Sequence, residues 1–243
     1  MNKPPYIGVT GFTTLEDVWV MADALEGSFG MLGVLMSHHT LKNGKKRGRW
    51  AALADVKTLM EKMPQNALRT IHWCDYGCEK SDSWKGIEDA IKSSGGECNA
   101  IQLNMAYPPI KYFKDLKEQY DLKTIFQIEE QMFEKPGDMA RKIAPYAPYV
   151  DYVLIDKSMG AGQPIDPVIS RAVAHALYPL GMGIVLTGGL CAKEIVKHRV
   201  LFREFKASSD AEGKLINKYT GSLDHKEQRA YVIESRDIVV KND

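Results

Sequence analysis

The residues best suited to chemistry in this sequence stand where apolar runs stop. "YVLI" at 152–155 is aliphatic and aromatic, reads as a buried strand, and runs directly into Asp156. A carboxylate in that position must be paired, solvated or put to use. It can give or take a proton. The following loop, "KSMGAGQ", carries Gly160 and Gly162, where the backbone can approach an anion closely. Two later runs end in a similar way, "GIVLTGG" on Gly188 and Gly189 and "REFKASS" on Ser208 and Ser209. Together these suit a phosphate held by converging backbone N–H groups, whereas the bland reading is two ordinary strand-to-helix turns. Asp210 would repel a phosphate there unless Lys206, Lys214 or another cation offset it.

Other groups compete for a role. His38 and His39 follow an apolar run and could supply a base or a ligand, although loop histidines are more often solvated. Cys74 and Asp75 end one run, and Glu129 and Glu130 another. Cys74-x3-Cys78 is half of a loose zinc pattern, but no second close pair exists, so free packed thiols and no metal are expected. The basic stretch 42–49 contains Arg47 and Arg49. It is either a solvated loop or a charged lid over an anionic ligand.

These endings need a scaffold. Strand-like runs lie at 6–10, 31–36, 68–73, 100–104, 123–129, 151–156, 183–189 and 203–209, with a helical pattern after each. The first helix, 14–26, opens with Thr13 or Thr14 as cap and Glu16 and Asp17 in its first turn. Eight alternations in 243 residues match a single (β/α)8 TIM barrel, a fold that carries its catalytic groups at the C-terminal ends of the strands. "GVTGFTT" is not a dinucleotide-binding fingerprint, which argues against an open doubly wound sheet. The formal net charge of +1 and the lack of aromatic interleaving beyond Trp50 argue against nucleic acid. No apolar run is long enough for a membrane span, and the first residues lack a signal-peptide core, so a cytoplasmic protein is expected. A homodimer is open to such a chain.

With "IGVTGFTTLEDV", "AIQLN", "YVLIDKSMGAGQPID", "VLTGGLCAKEI" and "KASSDAEG" in this order, the sequence resembles the phosphoribosylanthranilate isomerases, a family of ribulose-phosphate-binding barrels. The resemblance spans nearly the whole chain. It implies an Amadori rearrangement of a phosphorylated aminosugar, with no cofactor and a small phosphorylated metabolite as partner. Asp156 matches the family's acid. Thr10 stands where the family has its base, a cysteine, and a hydroxyl is far too weakly acidic to replace a thiolate unaided. Arg47 or Arg49 matches the arginine that grips the substrate carboxylate. Gln102 is kept, Asn104 replaces a histidine, and Lys206 and Asp210 replace the acid and the glycine of the family's last motif. The resemblance thus implies an isomerase-like enzyme with altered or lost activity. The alternatives are a non-catalytic barrel that binds a phosphorylated metabolite, and a lyase or aldolase using Lys157 or Lys206 as a Schiff base.

Overall fold

A computed structural model describes residues 3–74, 83–104, 108–128, 135–156 and 163–240. Eight parallel strands close into a barrel in sequence order: β1 (Ile7–Thr10), β2 (Gly30–Met36), β3 (Leu68–Cys74), β4 (Ala100–Asn104), β5 (Lys123–Ile128), β6 (Tyr152–Ile155), β7 (Gly183–Leu186) and β8 (Ser208–Ala211). The helices around it are α1 (Leu15–Leu25), α2 (His38–Asn43), α3 (Val56–Lys62), α4 (Ser83–Ser93), α5 (Ile110–Tyr120), α6 (Pro136–Ile143), α7 (Pro167–Leu177), α8 (Ala192–Lys197), α9 (Arg199–Phe205) and α10 (His225–Ser235). Among the described residues no helix is long and apolar enough to cross a membrane.

The strands are apolar on both faces, as parallel strands under helices must be. Outward residues such as Val9, Val34, Trp73, Leu103, Phe126 and Val153 pack under the helices. Inward residues at the N-terminal end form a second cluster around Tyr6, Met31, Leu68, Ala100, Ile125 and Tyr152. Toward the C-terminal end the inward positions turn polar: Thr10, His72, Gln102, Gln127 and Asp210 are all buried. The barrel is therefore plugged with hydrocarbon below and lined with hydrogen-bonding groups above.

Local chemistry starts and joins the outer helices. Thr14 caps α1, its hydroxyl accepting from Asp17 N at 3.2 Å while Asp17 Oδ2 accepts from Thr14 N at 2.8 Å. The other oxygen of Asp17 meets His225 Nε2 at 2.8 Å, and Gln228 donates to the Asp17 carbonyl, which pins the last helix to the first. At the opposite end of the barrel, buried Asp151 accepts from Lys3 Nζ at 2.8 Å and from Thr124 N at 3.0 Å, with Lys117 Nζ at 3.1 Å.

One boundary differs materially from the sequence expectation. Residues 203–205 are not part of the eighth strand. Leu201, Phe202 and Phe205 are buried while Arg203 and Glu204 are exposed, so this stretch continues a helical stripe and belongs to α9. The strand begins at Ser208, on residues of poor β-propensity, because β1 and β7 pair with it on both sides. The expected 51–63 helix starts with a 3-10 turn and becomes α-helical at Val56, and the expected basic loop begins inside α2.

Candidate active site at the barrel mouth

The C-terminal mouth is lined by His72, Cys74, Gln102, Asn104, Gln127, Asp156, Thr187, Asp210 and Glu212, with Arg49 and Trp50 over them. The alternation of each strand delivers these groups. On β3, Thr70, His72 and Cys74 share the inner face, on β4 Gln102 and Asn104, and on β8 Ser208 and Asp210, with Glu212 just beyond.

Asp210 is the central acid. It lies opposite Gly8 of β1, where an added Cβ would come within 3.0 Å of Oδ1. Burial and the nearby Glu212 charge push its pKa up to about 8, Asp156 adding to the rise while contacts from Gln102 and Thr10 work the other way. Asp156, just after β6, is buried and accepts from Gln127 Nε2 at 3.4 Å. Glu212 is raised by burial, opposed by Arg49, with which it pairs at 2.6 Å. Three carboxyl groups thus share a mouth with one arginine over it.

The other groups are held neutral. Burial, helped by Arg49, lowers His72 to about 3, so the ring is uncharged at pH 7. Its Nε2 lies 3.4 Å from Gln102 Nε2, which can only donate, so that ring nitrogen offers its lone pair. Burial pushes the Cys74 thiol far above its ordinary pKa, with the Glu212 charge adding to it, which removes Cys74 as a thiolate base. His72 Nδ1, Gln102 Oε1 and Asp210 Oδ1 are buried and lack hydrogen-bond partners among the described residues, so the mouth holds unused polar capacity.

Thr10 points into the barrel beside Asp210 and is fully buried. Its register partner is Gly33, where an added Cβ would come within 2.6 Å of Thr10 Oγ1. Gly33→Ala should therefore cost about 1–3 kcal/mol through overpacking. Urea unfolding checks this, and a variant as stable as wild type would mean that β2 can shift to make room.

The expected four-part cradle does not assemble. Ser208 and Ser209 open β8 instead of ending it. Ser208 Oγ accepts from Tyr6 N at 3.0 Å, and Ser209 Oγ accepts from Tyr231 OH at 2.8 Å on the outer face. Gly188 and Gly189 do adopt left-handed conformations, with φ 116° and 54°. Their cavity, however, is lined by Asp156 and Asp166 and by no cation among the described residues. Arg47 does not reach the mouth. It and Trp50 exchange backbone hydrogen bonds, each 3.0 Å, in a tight turn that sends Arg47 to an outer cavity and Arg49 over the barrel. Lys206 is exposed and closes α9 in a left-handed conformation, so it is neither the inward acid position nor a buried Schiff-base lysine. His38 packs edge-on against Trp73 and His39 faces the outer cavity. Gly160, Gly162, Asp75, Cys78, Glu129, Glu130 and Lys157 lie outside the described residues.

No protein-family model and no curated protein matches the chain. Solved structures do. The phosphoribosyl anthranilate isomerase of Thermus thermophilus aligns with a TM-score of 0.68 at 17% identity, over 94% of this chain and 97% of its own. That of Thermococcus kodakaraensis aligns with a TM-score of 0.65 at 16% identity, over 96% and 99%. The tryptophan synthase α subunit of Legionella pneumophila gives 0.60 at 12%, over 97% and 91%. The chain has the fold of the phosphoribosylanthranilate isomerases. On β8 the inward acid is Asp210, whereas Lys206 precedes the strand. Sequence reading passed over Asp210 as an acid, and over His72, Gln127 and Glu212. The available signal was polar residues at every second position near strand ends, as in "TIHWC", "FQI" and "SSDAE".

Proposed function

We propose that this protein is an isomerase-type enzyme that moves protons on a phosphorylated sugar or aminosugar, with Asp156 and Asp210 as the paired acid and base. The observation that carries the reading is the shared burial of these two carboxyls in the mouth, one of them with a pKa of about 8. Asp210, raised by burial and by the Glu212 charge, keeps its proton near neutral pH and can serve as the acid. An Amadori-type reaction uses such a pair. Asp210 gives its proton to the ring oxygen as the C1–O bond breaks. Asp156 takes the proton from C2, and the resulting enolamine becomes the ketone as that proton is returned to C1 and the 2-hydroxyl proton passes to the now ionised Asp210. Asp210 sits beside Thr10, so it supplies a proton-transfer group at the position where the family's thiol is missing. His72 and Gln102 are neutral hydrogen-bonding groups that can orient the sugar hydroxyls.

The test is proton exchange. Wild type and Asp156→Asn are incubated in D2O with phosphoribosylanthranilate or ribose 5-phosphate, and loss of the C2 proton with entry of deuterium at C1 of the ketose product is followed by NMR. The expected result is uptake with wild type and a loss of about 10² to 10⁴ in the variant, the range for a missing acid–base group. Wild type that binds either compound without exchange would instead favour a non-catalytic barrel, a reading supported by the Arg49–Glu212 pair across the mouth.

A further inference from the structure

The mouth encloses only about 60 Å³. That is room for a few waters, at roughly 10–15 Å³ each, and far below the roughly 300–1,000 Å³ of small-molecule sites. A cavity of about 510 Å³ opens directly beside it, between the 45–50 segment after β2 and the 213–221 segment after β8. Arg49 and Trp50 line both cavities, so they form the wall between them. Arg49 closes that wall by pairing with Glu212 at 2.6 Å.

The backbone that carries Arg49 is fixed. Arg47 and Trp50 exchange hydrogen bonds of 3.0 Å on either side of it, Leu53 N donates to Gly44 O at 3.0 Å, and Trp50 bridges to Leu35 of β2. The stem of the side chain is seated as well: a Cβ on Gly11 (φ 108°) would lie 3.4 Å from Arg49 Cβ. Beyond the stem the constraint is the Glu212 pair, and the Arg49 side chain is 36% exposed. Ion pairs with that much solvent around them are weak and break readily. A released guanidinium finds its room outward, in the larger cavity, where Lys45, Arg47 and Lys218 face it. Those like charges push it back toward Glu212.

We infer that Arg49 is a gate between the two cavities and Glu212 its latch. Paired, the guanidinium bars the mouth. Released, it withdraws into the outer cavity, and the two spaces join into one of small-molecule size. Attraction to Glu212 and repulsion from the outer cations both favour the closed state, so the mouth is shut at rest and opens in brief excursions. Glu212 acts through Arg49 and is a positioning residue. Salt screens both forces, the Debye length falling from about 8 Å at 0.15 M to about 3 Å at 1 M, so salt should populate the open gate. The inference rests on the phosphosugar reading only for the ligand that enters.

The test watches Arg49 through its side-chain Nε–H signal in the isotope-labelled full chain, assigned by its absence in Arg49→Lys. Wild type should show exchange between a major and a minor position on the μs–ms timescale. Raising NaCl from about 0.15 M to about 1 M should move the signal toward the minor position. Glu212→Gln should raise the minor population about tenfold, as loss of a charge-assisted contact does. Ribose 5-phosphate binding is then followed by stopped-flow tryptophan fluorescence. In wild type the observed rate should level off at the opening rate as ligand rises, and Glu212→Gln should lift that ceiling about tenfold. Removing a negative charge also speeds the encounter with an anion, but that steepens the slope at low ligand and leaves a ceiling in place. A single Arg49 position that neither salt nor Glu212→Gln moves overturns the gate, as does the same ceiling in both proteins. The salt arm needs no variant, so it decides even where Glu212→Gln fails to fold. Ribose 5-phosphate that binds neither protein sinks the phosphosugar reading alone, because the Arg49 signal still decides the gate.

Discussion

Asp210→Asn should lower proton exchange by about 10² to 10⁴ and, at the same time, make the protein more stable at alkaline pH. The two effects share a cause. Asp210 is buried beside Glu212 and Asp156, and its folded-state pKa is raised to about 8. A carboxyl whose folded pKa lies above its unfolded value, roughly 3.9, stabilises the fold fully below that unfolded value, and the contribution is lost as pH rises through the folded pKa. Wild-type stability should therefore fall between about pH 4 and pH 8. Asparagine cannot ionise, so the variant lacks this slope and should exceed wild type at pH 8 by at least about 1.4 kcal/mol, the worth of one pKa unit. Catalysis follows the same proton: as the acid, Asp210 must hold it, so wild-type exchange should fall as pH rises through about 8. Urea unfolding at several pH values and the exchange rate across the same range provide the check. A variant that loses activity but keeps the wild-type pH dependence of stability would assign the raised pKa to another group.

Asp151→Ala should cost about 2–4 kcal/mol, between the loss from one orphaned buried donor and that from a broken buried ion pair. The Asp151 side chain is fully buried at the N-terminal end of the barrel, bonded to Lys3 and to Thr124 N, with Lys117 alongside. Burial works to raise its pKa, but Lys3, the Thr124 N–H and Lys117 together outweigh it and hold the carboxyl below its ordinary value. A depressed folded pKa has the opposite sign to that of Asp210. Its contribution is present above the unfolded pKa, roughly 3.9, and is lost as pH falls through the folded value. The gap between wild type and Asp151→Ala should thus be full at pH 7 and shrink below about pH 4. Asp151→Asn, which keeps an acceptor for Thr124 N, should lose less. A loss below about 1 kcal/mol at pH 7 for the alanine variant would mean that the lysines find equivalent partners or water, as exposed ion pairs do.

Two aspartates bracketing one strand thus have contrasting surroundings. Asp151 precedes β6 and is surrounded by lysines. Asp156 follows it and shares the mouth with other carboxyls. The sequence alone distinguishes them only by position, since the C-terminal end of a barrel strand is the functional one. The lysines around Asp151 come from the N-terminal segment, α5 and β5, and only the closed barrel brings them together.

The barrel itself was legible because its determinants are local and repeated. Each strand is an apolar run with an amphipathic partner behind it, and eight such units admit few arrangements. Asp156 was legible for the same reason: an abrupt polar residue after "YVLI" needs no tertiary information to stand out. The β8 segment was not, because "SSDA" has no strand propensity and exists as a strand only through its neighbours β1 and β7. That one misplaced boundary hid Asp210, put Ser208 and Ser209 at the mouth, and assigned the last motif to Lys206. The choice of Arg49 over Arg47 depended on a tight backbone turn that composition does not report. The sequence by itself determined the fold class and the end of the barrel at which to look. Which acids meet and how burial shifts them were decided only by the tertiary structure, because burial and distance between strands far apart in sequence set the electrostatics of the mouth.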